Sequence, residues 1–328
     1  MKKLLKILVA VIVVIAAVLV GGRLWFRIPV SGYYNASEPA FEIPCLKDGF
    51  IPQGIDYVAK NNWMLLTGYM KDKSASPVYA VDLSSGEMVK SVTLITSDGK
   101  ECNAHNGGIA EKDGLIYVCD SSADGLRVFK LSDLEKSDIG GTVTEIGKIS
   151  LSAEGDHIGP AFVVDGPDGL IVGEFYIAEK YETPKSHYVG DNHAVAVRLP
   201  YSDGELGVSP TPDAAYSLPD LAQGMCFDDK GNMYISESWG ASLSQIEVFD
   251  ASKTDGDITL LGQKLPLTVL GENSRISYAK LAPMSEEIVI VDNKLYVNCE
   301  SASKKYFFGI LNGAGNVYKT DVKYFLGD

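Results

Sequence analysis

The sequence predicts an all-β fold: a β-propeller of five blades carried behind an N-terminal transmembrane helix. Three observations predict it. A hairpin recurs at a near-constant period, its copies share one internal spacing, and an apolar run of membrane-spanning length opens the chain. A fixed period of short strands and turn signals marks a propeller or array.

The hairpin is clearest at Gln223–Gly240, Q-G-M-C-F-D-D-K-G-N-M-Y-I-S-E-S-W-G. Asp229-Lys230-Gly231-Asn232 supplies residues that accept positive φ or bond their own backbone, which predicts a turn between two strands. Taking the first-strand starts as Gln53, Asn106, Pro160, Gln223 and Glu286, the second strands end at Thr67, Asp120, Glu174, Glu237 and Glu300, each 14 residues on. The steps between repeats are 53, 54, 63 and 63 residues. Counted from the tyrosines, Glu300 falls one residue late, so a bulge is expected in the last repeat.

Third strands are expected at Val78–Val81, Leu126–Phe129, Ala194–Val197, Ile246–Phe249 and Asn316–Lys319. Outer strands are expected at Lys148–Leu151, Ala215–Leu218 and Leu267–Leu270, and Phe41–Leu46 is a fourth strand without its own blade. Pairing it with the C-terminal blade would close the ring and remove a sheet edge. A sixth blade fits only if the long third repeat holds another sheet.

Residues 1–28 hold Lys2, Lys3 and Lys6, an apolar run from Ile7 to Gly22, and then Arg23 and Arg27. About 20 apolar residues suffice to cross a bilayer as a helix. The lysines favour a cytoplasmic N-terminus. A cleaved signal peptide is the rival reading, but no Ala-x-Ala site follows the run. The expectation is an uncleaved single-pass anchor (1–28), a linker (29–40) and an extracytoplasmic propeller (41–328) at the cell membrane.

Beyond the anchor, 24 basic side chains face 43 acidic ones, a net charge of −19. Such a field disfavours nucleic acid and favours cations or basic partners. The five cysteines do not form a disulfide framework for a chain this long. Cys119, Cys226 and Cys299 fall within strands and read as small buried groups, while a Cys45–Cys102 bridge is compatible with an oxidising compartment.

In a propeller the first strands line the channel, and the ends of second strands open on one face. Gln53, Asn106, Gln223 and Glu286 are therefore candidate ligand-binding residues, and Asp120, Glu174, Glu237 and Glu300 candidate metal ligands. Carboxylates interleaved with amide oxygens suit a hard divalent cation such as Ca²⁺; the competing reading is that they bond neighbouring backbone. His105, beside Asn106-Gly107-Gly108, is the candidate general base. The insertion Tyr176–Asn192, and Lys304–Phe308 in the last repeat, belong to the same rim. No G-x-S-x-G nucleophile elbow is present.

The D-D-K-G-N-M-Y-I-S-E-S hairpin resembles those of the regucalcin/gluconolactonase and strictosidine-synthase-like propellers. That resemblance implies a channel metal held by Glu, Asn and Asp, and lactone or ester hydrolysis. The first repeat, P-Q-G-I with L-L-T-G-Y and V-D-L-S-S-G, resembles plant-type glutaminyl cyclotransferases, which are five-bladed. Gln53 matches that family's Q-G pair, but Leu65-Leu66 stands where its acidic residue is expected. As a whole the chain resembles membrane-tethered bacterial propellers. Two functions follow: binding of a small molecule or protein at an acidic channel mouth, or a metal-dependent lactonase or esterase with Glu174 and Glu237 among the ligands.

Overall fold

A computed structural model describes residues 2–120, 122 and 124–327. It is a five-bladed propeller behind one long helix. Blade 1 contains Phe50–Val58, Trp63–Met70, Pro77–Asp82 and Met88–Ile95, with Gly141–Thr144 added in parallel at its outer edge. Blade 2 contains Ile109–Lys112, Leu115–Asp120, Gly125–Lys130 and Gly147–Ser150. Blade 3 contains Phe162–Asp165, Gly169–Gly173, Ala194–Pro200 and Ala214–Leu218. Blade 4 contains Ala222–Phe227, Asn232–Glu237, Ser244–Asp250 and Arg275–Leu281. Blade 5 joins Ser285–Val291, Lys294–Cys299 and Asn316–Asp321 to the N-terminal strand Ser37–Glu42. The ring closes by N- to C-terminal pairing as expected, but through Ser37–Glu42 and not Phe41–Leu46, since Leu46–Asp48 is a single helical turn.

The turn chemistry works as its residues predict. In blade 4 the Asp228 carboxylate accepts from the backbone N–H groups of Lys230 and Asn232, both at 2.9 Å, and Gly231 takes φ +81°. Register shifts occur between Ser285 and Ile288, where the last repeat is out of phase, and also between Pro52 and Ile55 and between Ala222 and Gly224.

One outer strand differs from expectation. Gln263–Val269 does not complete blade 4; it pairs in parallel with Ala214–Leu218 of blade 3, and Arg275–Leu281 takes the blade 4 edge. Leu265 and Leu267 bury against the blade 2–blade 3 cluster, so apolar burial decides the pairing.

Five apolar clusters fill the five blade interfaces. The second strand of each sheet is buried on both faces, which is why these strands read as near-continuous apolar runs. The axis is held by one carboxylate. Glu287, 1 % exposed, accepts backbone N–H groups from Ile55 (2.9 Å), Ile109 (3.0 Å) and Val163 (3.1 Å), so the last blade is bonded to the inner strands of the first three. A Cβ at Gly108 would lie 2.6 Å from Glu287 Oε1, and one at Gly224 2.5 Å from its Cα. The glycines after the ring residues therefore serve close approach at the axis.

Helix α1 runs from Lys2 to Arg27, a single turn from Ile28 to Val30, and α2 from Ser31 to Ala36. α1 is long and apolar enough to cross a membrane. The stretch expected to be a linker is folded: Tyr33 is buried among Tyr34, Tyr318, Tyr324 and Phe325. All five cysteines are free, which removes the Cys45–Cys102 bridge; the Cys102 thiol instead approaches Asn106 Oδ1 at 3.9 Å.

Candidate functional site

A cavity of about 700 Å³ opens at the end of the channel where the second strands finish. That size falls in the range of small-molecule sites. Its floor is built by the starts of inner strands: Gln53, Gly107, Pro160, Gln223 and Glu286. Gln53 turns its amide N–H to its neighbour Pro52 O, at 2.8 Å, and its backbone carbonyl accepts from Asn298 Nδ2 at 2.8 Å.

One wall comes from blades 1, 2 and 5. The Tyr69 and Tyr306 hydroxyls both donate to Glu300 Oε1 at 2.8 Å, and Lys305 Nζ reaches the same oxygen at 3.2 Å. Lys305 also donates to the Tyr69 hydroxyl and stands 4.9 Å and 5.0 Å from the centroids of the Tyr69 and Tyr306 rings. The His105 ring packs on Tyr69, centroids 4.4 Å apart. The opposite wall is apolar and comes from blades 3 and 4: Trp239 contacts Phe175 and Tyr181 at 5.9 Å and 6.0 Å, and Lys180 Nζ lies 4.3 Å over the indole. The insertion after Phe175 and the segment after Glu300 both reach the cavity, as the sequence predicts for that rim.

Burial, followed by the neighbouring Glu300, pushes the Glu286 carboxyl well above its usual range. Its Oε1 is a buried oxygen without a hydrogen-bond partner among the described residues. The His105 ring is open to the cavity but surrounded by protein, and that desolvation lowers its pKa, so the imidazole is neutral. Met284, on the same rim, holds φ +61°, a strained state for a side-chain-bearing residue, while its carbonyl accepts from Glu300 N at 2.9 Å.

Of the candidate residues, Gln53, Gln223, Glu286, His105 and Glu300 line this cavity. Asn106 is fully buried beside it, with Gly107 taking its place on the floor. Asp120, Glu174 and Glu237 do not line it. Asp120 is buried against Arg127 at 2.6 Å, and Arg127 also binds Glu145 at 2.5 Å. Glu174 accepts from the backbone N–H of Val195 and bonds His187 Nδ1 at 2.9 Å, while His187 Nε2 bonds Asp156 at 2.9 Å. Glu237 accepts from Gln245 at 2.8 Å; burial and then Glu247 push its carboxyl up to about 8.

Among the described residues no group of three or more His, Cys, Asp or Glu is arranged to hold a metal ion. The two candidate carboxyls in the cavity fit a Ca²⁺ site poorly, since Glu300 Oε1 is already taken by two hydroxyls and an ammonium and Glu286 is left as the one other carboxyl of the lining. Sequence reasoning missed Glu287, Tyr69, Trp239 and Lys180. The doubled Glu286-Glu287 was the available signal for the first, because adjacent strand residues face opposite ways and a bulge alters that alternation.

No protein-family model and no curated protein matches this sequence. Solved structures with a similar outline include an oxidoreductase described as a glucose dehydrogenase from Thermus thermophilus (12% identity, TM-score 0.45, 87% of this chain and 98% of that one). Glutaminyl cyclase of Myxococcus xanthus is similar at 8% identity and TM-score 0.44, covering 87% and 92%. The calcium-binding protein regucalcin of Agrobacterium tumefaciens is similar at 12% identity and TM-score 0.42, covering 87% and 93%. These are likenesses of propeller architecture, and nothing about the activity of this chain is taken from them.

Proposed function

We propose that this chain is a membrane-anchored propeller that binds a small, neutral, hydroxyl-rich ligand in the mouth cavity, on the extracytoplasmic side. One observation carries the reading: an aromatic wall at Trp239, Phe175 and Tyr181, with Lys180 over the indole, faces a floor of hydrogen-bonding groups, namely Gln53, Gln223 and Glu286, whose carboxyl pKa burial raises. An apolar face against directional hydrogen-bonding groups selects a ring-like molecule with polar edges. The charges on the opposite wall are largely satisfied among themselves, since Glu300 is bonded by Lys305 and two tyrosines. The lactonase or esterase reading has weaker support, because Glu174 and Glu237 lie outside the cavity that holds His105.

The test is thermal melting and tryptophan fluorescence of the full chain in detergent, titrated with neutral monosaccharides, organic acids and quaternary amines. A neutral sugar at about 100 times its Kd would add ~2.7 kcal/mol of stability, and Trp239→Ala would remove the shift. Stabilisation by acids or amines alone, or a sugar effect that survives both Trp239→Ala and Glu286→Ala, overturns the proposal.

A further inference from the structure

The path of the chain into blade 5 fixes the direction in which the anchor leaves the propeller. Ser37 pairs with Thr320 at the end of the blade away from the mouth, and Glu42 pairs with Asn316 at the mouth end. Going backwards from Ser37, Tyr34 donates to Asn312 O at 3.1 Å, Phe26 stacks on Phe308 at 5.7 Å, and a Cβ at Gly22 would lie 2.9 Å from the Leu311 side chain. Residues 308–312, including the short helix Gly309–Asn312, lead into the mouth end of Asn316–Asp321. The segment before Ser37 therefore climbs the blade, and α1 departs from the mouth side.

The segment that touches α1 also builds the cavity, since Lys305 and Tyr306 immediately precede Phe307. Phe307 is 88 % exposed and Trp25, at the same end of α1, is 78 % exposed. Leu311 packs at the level of Gly22, where the apolar run ends. Aromatic side chains concentrate at that depth of a membrane helix, in the headgroup layer. The charge agrees: Lys304 and Lys71, joined through Lys71 Nζ and the Lys304 carbonyl at 2.9 Å, are exposed on a body that is otherwise strongly acidic, and Arg23 of α1 is exposed as well. Basic residues at a membrane surface attract anionic lipid.

We propose that the segment Tyr306–Asn312 is a membrane-interface element that seats the mouth of the propeller on an anionic bilayer, with Phe307 among the headgroups. The proposal rests on the anchored reading of α1. It makes the cavity face the lipid surface from which α1 emerges.

The test uses the full chain in nanodiscs of phosphatidylcholine and phosphatidylglycerol, with Cys45→Ser and one fluorophore-labelled cysteine at a time. The sites are Phe307→Cys, Leu24→Cys in α1, and Ile139→Cys on the far face. Headgroup-proximal spin-labelled lipid is expected to quench positions 307 and 24 severalfold more than position 139. Quenching at 24 with position 307 as wet as 139 overturns the seating and leaves the anchor standing. Position 307 shielded from aqueous quencher but unreached by lipid quencher means a protein covers it, which also overturns the seating. No quenching at 24 overturns the anchor and the seating together.

Discussion

Asp120 and Glu300 hold the same place in their blades, the residue where the second strand meets the mouth, and are used in opposite ways. Asp120 is locked to Arg127, which also holds Glu145, in a cluster shut off from solvent. Glu300 faces a cavity and is balanced by Lys305 and two tyrosine hydroxyls, beside Glu286, whose carboxyl pKa burial and Glu300 raise. Glu174 behaves like Asp120, with His187 in place of arginine. A repeat thus duplicates a carboxylate position while the third strands and insertions decide whether each copy is a structural lock or part of a site.

The two largest effects are expected at the lock and at the axial carboxylate. Arg127→Leu strands two buried carboxylates and should lower stability by about 3–5 kcal/mol, read by denaturant unfolding; a loss no greater than that of Lys305→Leu would erase the distinction. The other is the axial carboxylate, whose removal in Glu287→Ala leaves three buried N–H groups unpaired at ~1–3 kcal/mol each. A variant that melts like the parent would show that the axis is not held this way.

The histidine lock is expected to show a smaller effect that depends on pH. Burial lowers the His187 pKa, but Glu174 and Asp156 outweigh it and the net shift is upward. Its contribution is therefore complete below the ordinary histidine value of about 6.5 and is lost as pH rises through the raised folded-state value. Melting temperature measured across that window should fall, and His187→Gln should flatten the slope. The smallest effect belongs to the site: Glu286→Gln keeps the shape of an acid whose pKa burial raises, so stability should change by less than ~0.5 kcal/mol while ligand-induced stabilisation falls. A marked stability change there would mean that Glu286 carries charge in the folded protein.

The architecture was largely legible before any coordinates. The five repeats, the turn at Asp229–Asn232, the closure of the ring by an N-terminal strand and the two rim segments all follow from local spacing and turn chemistry. The outer strand of blade 4 was misread because Gln263–Val269 and Arg275–Leu281 are both plausible edge strands, and the choice rests on a distant partner, Ala214–Leu218. The site was legible in part. Gln53, Gln223, Glu286, Glu300 and His105 converge as their ring positions imply.

By itself, the sequence determined that this chain repeats one hairpin five times behind an apolar helix, because strand alternation, turn residues and hydrophobic length act over a few neighbouring positions. Tertiary structure decided which of the repeated acids reach the cavity. Arg127 and Glu145 come to Asp120, and His187 and Asp156 to Glu174, from other strands and loops, and a carboxylate takes its role from the charges packed around it.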